Sequence, residues 1–509
     1  MKSWIAPSCR RTGRAATALA LVLGLAACGG SRLSSDEIRA ANLSYPSNDG
    51  SLGTVAPADP LAPVAGGESA QAPAPAAAPG APSSSVTGSV KAGGANGAAA
   101  PARPSSGPPT GSSTSKVPTT GTGTSTRAAV PIVGSSGCAR QLEPIRIGQN
   151  GSFSGLVGNS IGGLRTGAAL WAKAVNAAGG IACHPIQLFQ TDDQSNPTKA
   201  ATNVKDLIQN KKVVALIGLG SPIVIASVRA ELDKAGIPAI GGTQVELDWE
   251  QDPLLYNVGG WGFPSMAVVV KQAAINSGGK KFGLMHCVEA TLCTTFKDKF
   301  SGAKGYAARL GLDFAFSQSF SLTQSSFTSA CQNAKAAGVD VLFPVSDASA
   351  FQRLVRDCAA INYKPAYVSG SIALSAPVAV DPNVRSHGVL VGAPVAPFVS
   401  SGGAGLAAFN AAAKQYLGQQ PLDQNILMGW ASGQLLAKAL AQVGAEARGG
   451  AVTTAVILKG LSKVKGETLD GLTPPMTLAS NSAPLECGYV LAIGTTGYEA
   501  PIGRKVVCL

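Results

Sequence analysis

From residue 145 onward, apolar positions follow two alternating rhythms. Ile145-Arg146-Ile147-Gly148 predicts a short strand, and Leu164, Ala168, Trp171 and Val175 then recur at helical spacing until Gly179-Gly180 ends the run. Ile186 to Phe189 predicts a second strand, 197–210 a second helix, and the apolar run from Lys212 to Gly218 a buried third strand. Ser221-Pro222 is suited to open the next helix, with Ser as N-cap and Pro in the first turn, and Ile237 to Ile240 predicts a fourth strand. After residue 260 the alternation repeats. Strands are expected at 282–285, 313–316, 339–344 and 366–368, with helices at 295–310 and 348–360. Two successive βαβ series predict an α/β fold of two doubly wound parallel-sheet lobes, each covered by helices on both faces. Ligands of such sheets bind beyond the carboxyl ends of the strands, so a cleft between the lobes would gather both sets of strand ends.

The first 137 residues lack both rhythms. Lys2, Arg10, Arg11 and Arg14 precede an uncharged run from Ala15 to Ala27, too short to span a bilayer, which takes about 20 residues. Leu25-Ala26-Ala27-Cys28 matches the bacterial lipoprotein signal, so residues 1–27 read as a signal peptide and Cys28 as the lipidation site. Two or three acyl chains on that cysteine would hold the protein stably at the outer face of the cell membrane. Residues 28–137 are rich in Ala, Pro, Gly, Ser and Thr and nearly free of aromatics, a composition expected of a disordered tether. A flexible chain of that length reaches roughly 55–60 Å root-mean-square.

The remaining segment, Cys138 to Leu509, exceeds one ordinary core. The formal net charge is +12, but its basic residues are scattered without interleaved aromatics, which argues against nucleic acid as a partner. Ten cysteines become eight once Cys9 is cleaved off and Cys28 is lipidated, and an even number in an exported chain suggests disulfides. There is no CxxC. Cys183-His184 and His286-Cys287 are adjacent pairs without zinc spacing, so no metal or other cofactor is expected. GxSxG, P-loop and HExxH motifs are absent, GxGxxG fails at Ile223, and His184, His286 and His387 fall in separate units. An enzyme is not expected.

The stretch IRIGQNGSFSG from Ile145 leads into the block Thr166-Gly167-Ala168, Asn176-Ala177 and Gly179-Gly180-Ile181, followed by Asp192, Asp193 and Pro197. Together these resemble the type I periplasmic binding proteins of the leucine/isoleucine/valine class. The resemblance fades after about residue 260, though the order of elements holds. It implies a three-strand hinge, crossing near Trp261, near Pro394 and between Pro474 and Ala483. Lobe one would then comprise 138–260 and 395–475, and lobe two 261–394 and 476–509.

The resemblance also implies ligand-facing loops. In lobe one these carry Ser152, Phe153 and Ser154, then Ser221, then Gly242, Thr243 and Gln244. Hydroxyls and helix N-termini there suit an anion or a polar oxygen. Each has a plainer reading beside it: Ser221 as a helix cap, Ser154-Gly155 as a turn, and Gly242-Thr243 as a strand exit. In lobe two the loops carry Glu289, Ser346, Asp347 and Ser371, and Trp261 at the first crossing would either stack on ligand or pack in the hinge. The acidic residue that pairs with a ligand ammonium aligns with Ser371 and an aromatic with Ser346, leaving Asp347 or Glu289 as substitutes. That departure favours a ligand other than a branched-chain amino acid. In this fold class the first two strands are neighbours, and the expected disulfides are Cys138–Cys183, Cys287–Cys293, Cys331–Cys358 and Cys487–Cys508. The implied function is a monomeric solute-binding lipoprotein that captures a small polar or carboxylate-bearing ligand, an amino acid or related compound, and delivers it to ABC transporter permease subunits. A ligand-sensing receptor module is the alternative, and a hydrolytic enzyme a more remote one.

Overall fold

Short strands, buried on both faces only at the centre of the sheet, form the first lobe's core layer. In the computed structural model, which describes residues 138, 140–260, 262–478 and 485–509, β1 (Ile145–Gly151), β2 (Ile186–Asp192), β3 (Ala215–Leu219), β4 (Ala239–Gly242) and β5 (Leu255–Tyr256) lie in the order β2-β1-β3-β4-β5. All pairings are parallel, and β1 runs in register with β2 from Ile145 opposite Ile186 to Gly151 opposite Asp192. The third strand starts at Ala215, not at Lys212, because Lys212 adopts a left-handed φ of +54° that no strand allows. Helices α1 (Gly158–Ala177), α2 (Pro197–Gln209), α3 (Ile225–Ala235) and α4 (Asp248–Gln251) connect the strands. Leu164, Ala168, Trp171 and Val175 of α1 are all buried. Asn196 caps α2 by accepting the Lys199 N–H at 2.9 Å. The Ser221-Pro222 start expected for α3 does not occur. That helix begins at Ile225 with no side-chain cap, and the Ser221 hydroxyl is engaged elsewhere.

The second sheet comprises β6 (Lys281–Cys287), β7 (Asp313–Phe320), β8 (Val341–Val345), β9 (Ala366–Gly370), β10 (Val389–Ala393), β11 (Cys487–Gly494) and β12 (Gly497–Glu499), ordered β12-β11-β10-β9-β8-β6-β7, with β13 (Val507–Cys508) paired to β11. Strands β6 to β10 are parallel and β11 is antiparallel. Around this sheet lie α5 (Gly262–Ser277), α6 (Thr291–Phe300), α7 (Tyr306–Arg309), α8 (Thr328–Ala336), α9 (Ala348–Ala360) and α10 (Pro382–His387). The single helix expected over 295–310 is two, parted where Gly302 takes φ +76° and where a Cβ on Gly305 would meet the Ser301 carbonyl at 2.1 Å.

The chain then returns through α11 (Ala404–Tyr416), α12 (Gln424–Ala441), α13 (Gly444–Gly449) and α14 (Thr454–Leu461). Helix α12 presses against α1, β3 and β4. A Cβ on Gly167 would lie 1.9 Å from the Ile426 carbonyl, so only glycine permits that approach. The crossings between lobes run side by side: Gly260 N–H donates to Pro394 O (3.1 Å) and Ala396 N–H to Leu472 O (2.7 Å). Residues 479–484 of the third crossing, and Trp261 in the first, lie outside the described residues. Four disulfides brace the fold: Cys138–Cys183 before β1 and β2, Cys287–Cys293 from β6 to α6, Cys331–Cys358 from α8 to α9, and Cys487–Cys508 from β11 to β13. Their Cα separations, 4.0 to 5.6 Å, fall below the roughly 7 Å limit for a bridge.

Candidate functional site

Between the carboxyl ends of the two sheets lies a cleft with about 830 Å³ of atom-free space, its solvent-facing mouth included. Its walls are mainly apolar. Ile161 and Val245 face it from lobe one, and Met266, Phe296, Leu322 and Phe343 from lobe two. Phe296 is itself fixed by aromatic packing, 4.5 Å from Phe263 and 5.5 Å from Phe343 between ring centroids. Set among these walls are the hydroxyls of Thr243, Ser346 and Ser369, buried and without a hydrogen-bond partner. Among the described residues lining the cleft there is no Lys, Arg or His.

The residues proposed from the sequence divide into two groups. Thr243, Gln244, Ser346, Asp347 and Ser371 line the cleft. Ser152, Phe153, Ser154, Ser221, Gly242 and Glu289 do not. Ser152 donates to Asp193 Oδ1 at 2.6 Å and Ser221 to Asp193 Oδ2 at 2.8 Å, while Asn150 Nδ2 donates to both Asp193 (2.8 Å) and Ser221 Oγ (3.0 Å). These hydroxyls therefore tie together the ends of β1, β2 and β3. Ser154 donates through N–H and hydroxyl to Asp192. Burial alone would raise the Asp192 carboxyl pKa, but those bonds and the Gln194 N–H hold it below its usual value. Phe153 lies under the Arg165 guanidinium, 5.7 Å from ring centroid to Cζ. At Gly242, φ is +150° and a Cβ would meet the Leu219 carbonyl at 2.0 Å, so this glycine permits close strand approach. Glu289 accepts from Ser321 Oγ and Leu322 N–H, both at 2.7 Å, and so supports a wall of the cleft from behind.

Among the lining residues, Gln244 joins β4 to the hinge: its Oε1 accepts the Val258 N–H at 2.6 Å and its Nε2 donates to Val258 O at 3.2 Å. Asp347 caps α9, accepting the N–H groups of Ser349 (3.0 Å) and Ala350 (3.1 Å). Burial raises its pKa, and those helix N–H bonds oppose the rise. Ser371 donates to Met428 Sδ at 3.4 Å.

Two residues not singled out from the sequence as site residues span the lobes. Ser160 Oγ accepts the Ala348 N–H at 2.8 Å, and Asn425 Nδ2 donates to Ser160 O (2.8 Å) and Ser371 O (3.4 Å). Lys299 adds an ion pair to Glu250 at 3.1 Å. No local pattern marks these partners, since Asn425 meets Ser160 across 265 positions. Asn425→Ala removes the 3.4 Å bond that crosses to Ser371 O, a loss of roughly 0.5–1.5 kcal/mol from the arrangement that holds the lobes together. Small-angle scattering should then show a larger radius of gyration than wild type; an unchanged curve would assign closure to other contacts.

Of the three histidines, none lines the cleft. His184 is buried with its ring nitrogens on Glu143 O (2.5 Å) and Ala447 O (2.8 Å), where it joins the N-terminal entrance of the fold to α13. No cluster of three His, Cys, Asp or Glu side chains that could hold a metal ion occurs among the described residues.

Two doubly wound sheets, adjoining crossings and a shared cleft at the strand ends define a type I periplasmic binding protein. The chain belongs to the periplasmic binding protein family, whose model matches residues 144–497. Solved structures share the fold. The fatty acid ABC transporter substrate-binding protein from Thermomonospora curvata aligns at 17% identity over 74% of this chain and 95% of its own, with a TM-score of 0.61. The branched-chain amino acid transporter substrate-binding protein of Streptococcus pneumoniae in complex with isoleucine aligns at 19% identity, 72% and 99% coverage, and TM-score 0.58. An ABC transporter solute-binding protein of R. palustris in complex with benzoate aligns at 17% identity, 72% and 98% coverage, and TM-score 0.56. No curated protein sequence matches the chain. The family and these structures are solute-binding proteins, not enzymes, and family membership implies an extracytoplasmic location. No helix among the described residues is long and apolar enough to cross a membrane.

Proposed function

We propose that this chain is the solute-binding lipoprotein of an ABC transporter. A lipid on Cys28 holds it at the outer face of the membrane, residues 28–137 act as its tether, and a monomeric two-lobed globule closes on a small ligand for delivery to permease subunits. The lobes are 138–260 with 395–475, and 261–394 with 476–509. The observation that carries this reading is the interlobe cleft in which Thr243, Ser346 and Ser369 keep buried hydroxyls unpartnered. A buried hydroxyl without a partner is destabilising, and a ligand that bonds it removes that penalty. The cross-lobe bonds from Ala348 N–H to Ser160 Oγ and from Asn425 Nδ2 to Ser371 O fit a clamp whose closed form a ligand would favour.

Native mass spectrometry of the purified protein tests the binding function, with a co-purifying small molecule that leaves on denaturation as the expected result. The anchor is tested separately. Cys28→Ala should move the protein out of the membrane fraction and remove its acyl mass. Membrane association unchanged by the substitution, with no lipid on the wild type, would overturn the lipoprotein assignment.

A further inference from the structure

We infer that the ligand is a mainly apolar molecule whose polar groups are oxygens and which carries no ammonium group. The inference rests on the solute-binding reading and specifies its ligand class. An amino acid entering a closed cleft needs an acceptor for its ammonium. Asp347 is the only carboxylate among the described lining residues, and its two oxygens are each taken by a helix N–H, from Ser349 and Ala350. Turning that carboxylate toward a ligand would strip the first turn of α9 of its cap. The remaining candidate acid, Glu289, faces Ser321 and Leu322 behind the wall and does not line the cleft. Ser371, which also lines the cleft, is uncharged and donates to Met428 Sδ.

The anion-binding capacity of α9 is occupied as well. Its Ala348 N–H goes to Ser160 Oγ, so the first three N–H groups of the helix end on protein oxygens. What the cleft offers a polar group is the three unpartnered hydroxyls of Thr243, Ser346 and Ser369, neutral groups that both donate and accept. Ser346 follows β8 and Ser369 lies near the end of β9, neighbouring strands of one sheet, while Thr243 reaches in from the end of β4. Everything else that the cleft presents in quantity is hydrocarbon or aromatic surface. Such a site offers an ammonium only the Asp347 carboxylate, held in place by the helix N–H groups it caps, whereas a carbonyl, hydroxyl or carboxyl oxygen meets three unpartnered hydroxyls.

The test is calorimetric titration of the full protein, after removal of any co-purified molecule, with two charged and neutral pairs, benzoate with benzamide and hexanoate with hexanamide, and with leucine and phenylalanine. At least one member of a pair is expected to bind tenfold or more tightly than either amino acid. Its affinity should fall about three- to tenfold in Thr243→Val, Ser346→Ala and Ser369→Ala, with each variant's melting curve confirming the fold. Within the productive pair, the tighter member shows whether the oxygen-bearing end carries a charge. Tighter binding of leucine or phenylalanine, abolished by Asp347→Asn, would overturn the inference and leave the solute-binding reading intact. Failure of all six probes would overturn the ligand class, and if native mass spectrometry also found the protein empty, the solute-binding reading would fall with it.

Discussion

Replacing Asp193 by alanine is expected to destabilise the first lobe by roughly 3–5 kcal/mol, because several buried neutral donors lose their shared acceptor at about 1–3 kcal/mol each. The side chain is fully buried and gathers four donors: Asn150 Nδ2, the hydroxyls of Ser152 and Ser221, and the Ser195 N–H at 2.9 Å. Those donors come from the ends of β1 and β3 and from the turn after β2, so the carboxylate is the one group that all three share. Alanine would leave several of them buried and unpaired, each at about 1–3 kcal/mol, with partial relief where Asn150 and Ser221 still bond each other at 3.0 Å. Asp193→Asn keeps the shape but points an N–H₂ at one set of donors, and an intermediate loss is expected. Urea unfolding followed by circular dichroism measures both. A loss under about 1 kcal/mol for the alanine variant would mean that the strand ends are held by their backbone ladders alone.

The same network marks the boundary of what the sequence made legible. The central parallel strands were readable because both their faces are buried, so that Ala215 to Leu219 appears as an unbroken apolar run. Strand adjacency in turn brings Cys138 to Cys183. The direction of individual hydroxyls was not readable. Ser152, Ser221 and Thr243 all sit at strand ends, yet the first two turn to a carboxylate more than 25 positions away and the third is left facing the cleft. That choice depends on where Asp193 lands once three strands have paired, which no local pattern encodes. Asp347 stands immediately before a helix and could equally have been read as a cap or as a ligand for a cation; the N–H groups of Ser349 and Ala350 decide for the cap. The helix break at Gly302 and Gly305 had a visible signal in its two glycines, and apolar spacing on either side obscured it.

Above neutral pH the stability should fall, and Glu246 is the group responsible. It lies in the loop between β4 and α4 with only 3% of its surface exposed, one carboxylate oxygen accepting the Val245 N–H at 3.2 Å. Burial pushes its pKa up to about 8, and the neighbouring Asp248 charge acts in the same direction, against opposing bonds from its own N–H, Val245 and Trp249. In the unfolded chain the group titrates near its ordinary value of about 4.3. Between these two values the folded protein holds more protons than the unfolded one, so stability declines as pH rises. The contribution is complete below the unfolded pKa and is lost as pH climbs through the folded one. Asp252, raised to about 6 chiefly by burial, has the same sign but acts mostly at lower pH, so from pH 6 to pH 9 Glu246 supplies the larger part of the change. Over that interval the expected loss is about 2–3 kcal/mol, from 1.36 kcal/mol per unit up to the folded pKa. Glu246→Gln cannot ionise and should flatten this part of the profile, becoming the more stable protein at pH 9. Urea titrations of both proteins from pH 6 to pH 9 measure the difference, and parallel profiles would show that Glu246 ionises in the folded state without penalty. Because Thr243 and Val245 line the cleft from the same loop, the ionisation that weakens the fold would also loosen the lobe-one wall against which the ligand closes.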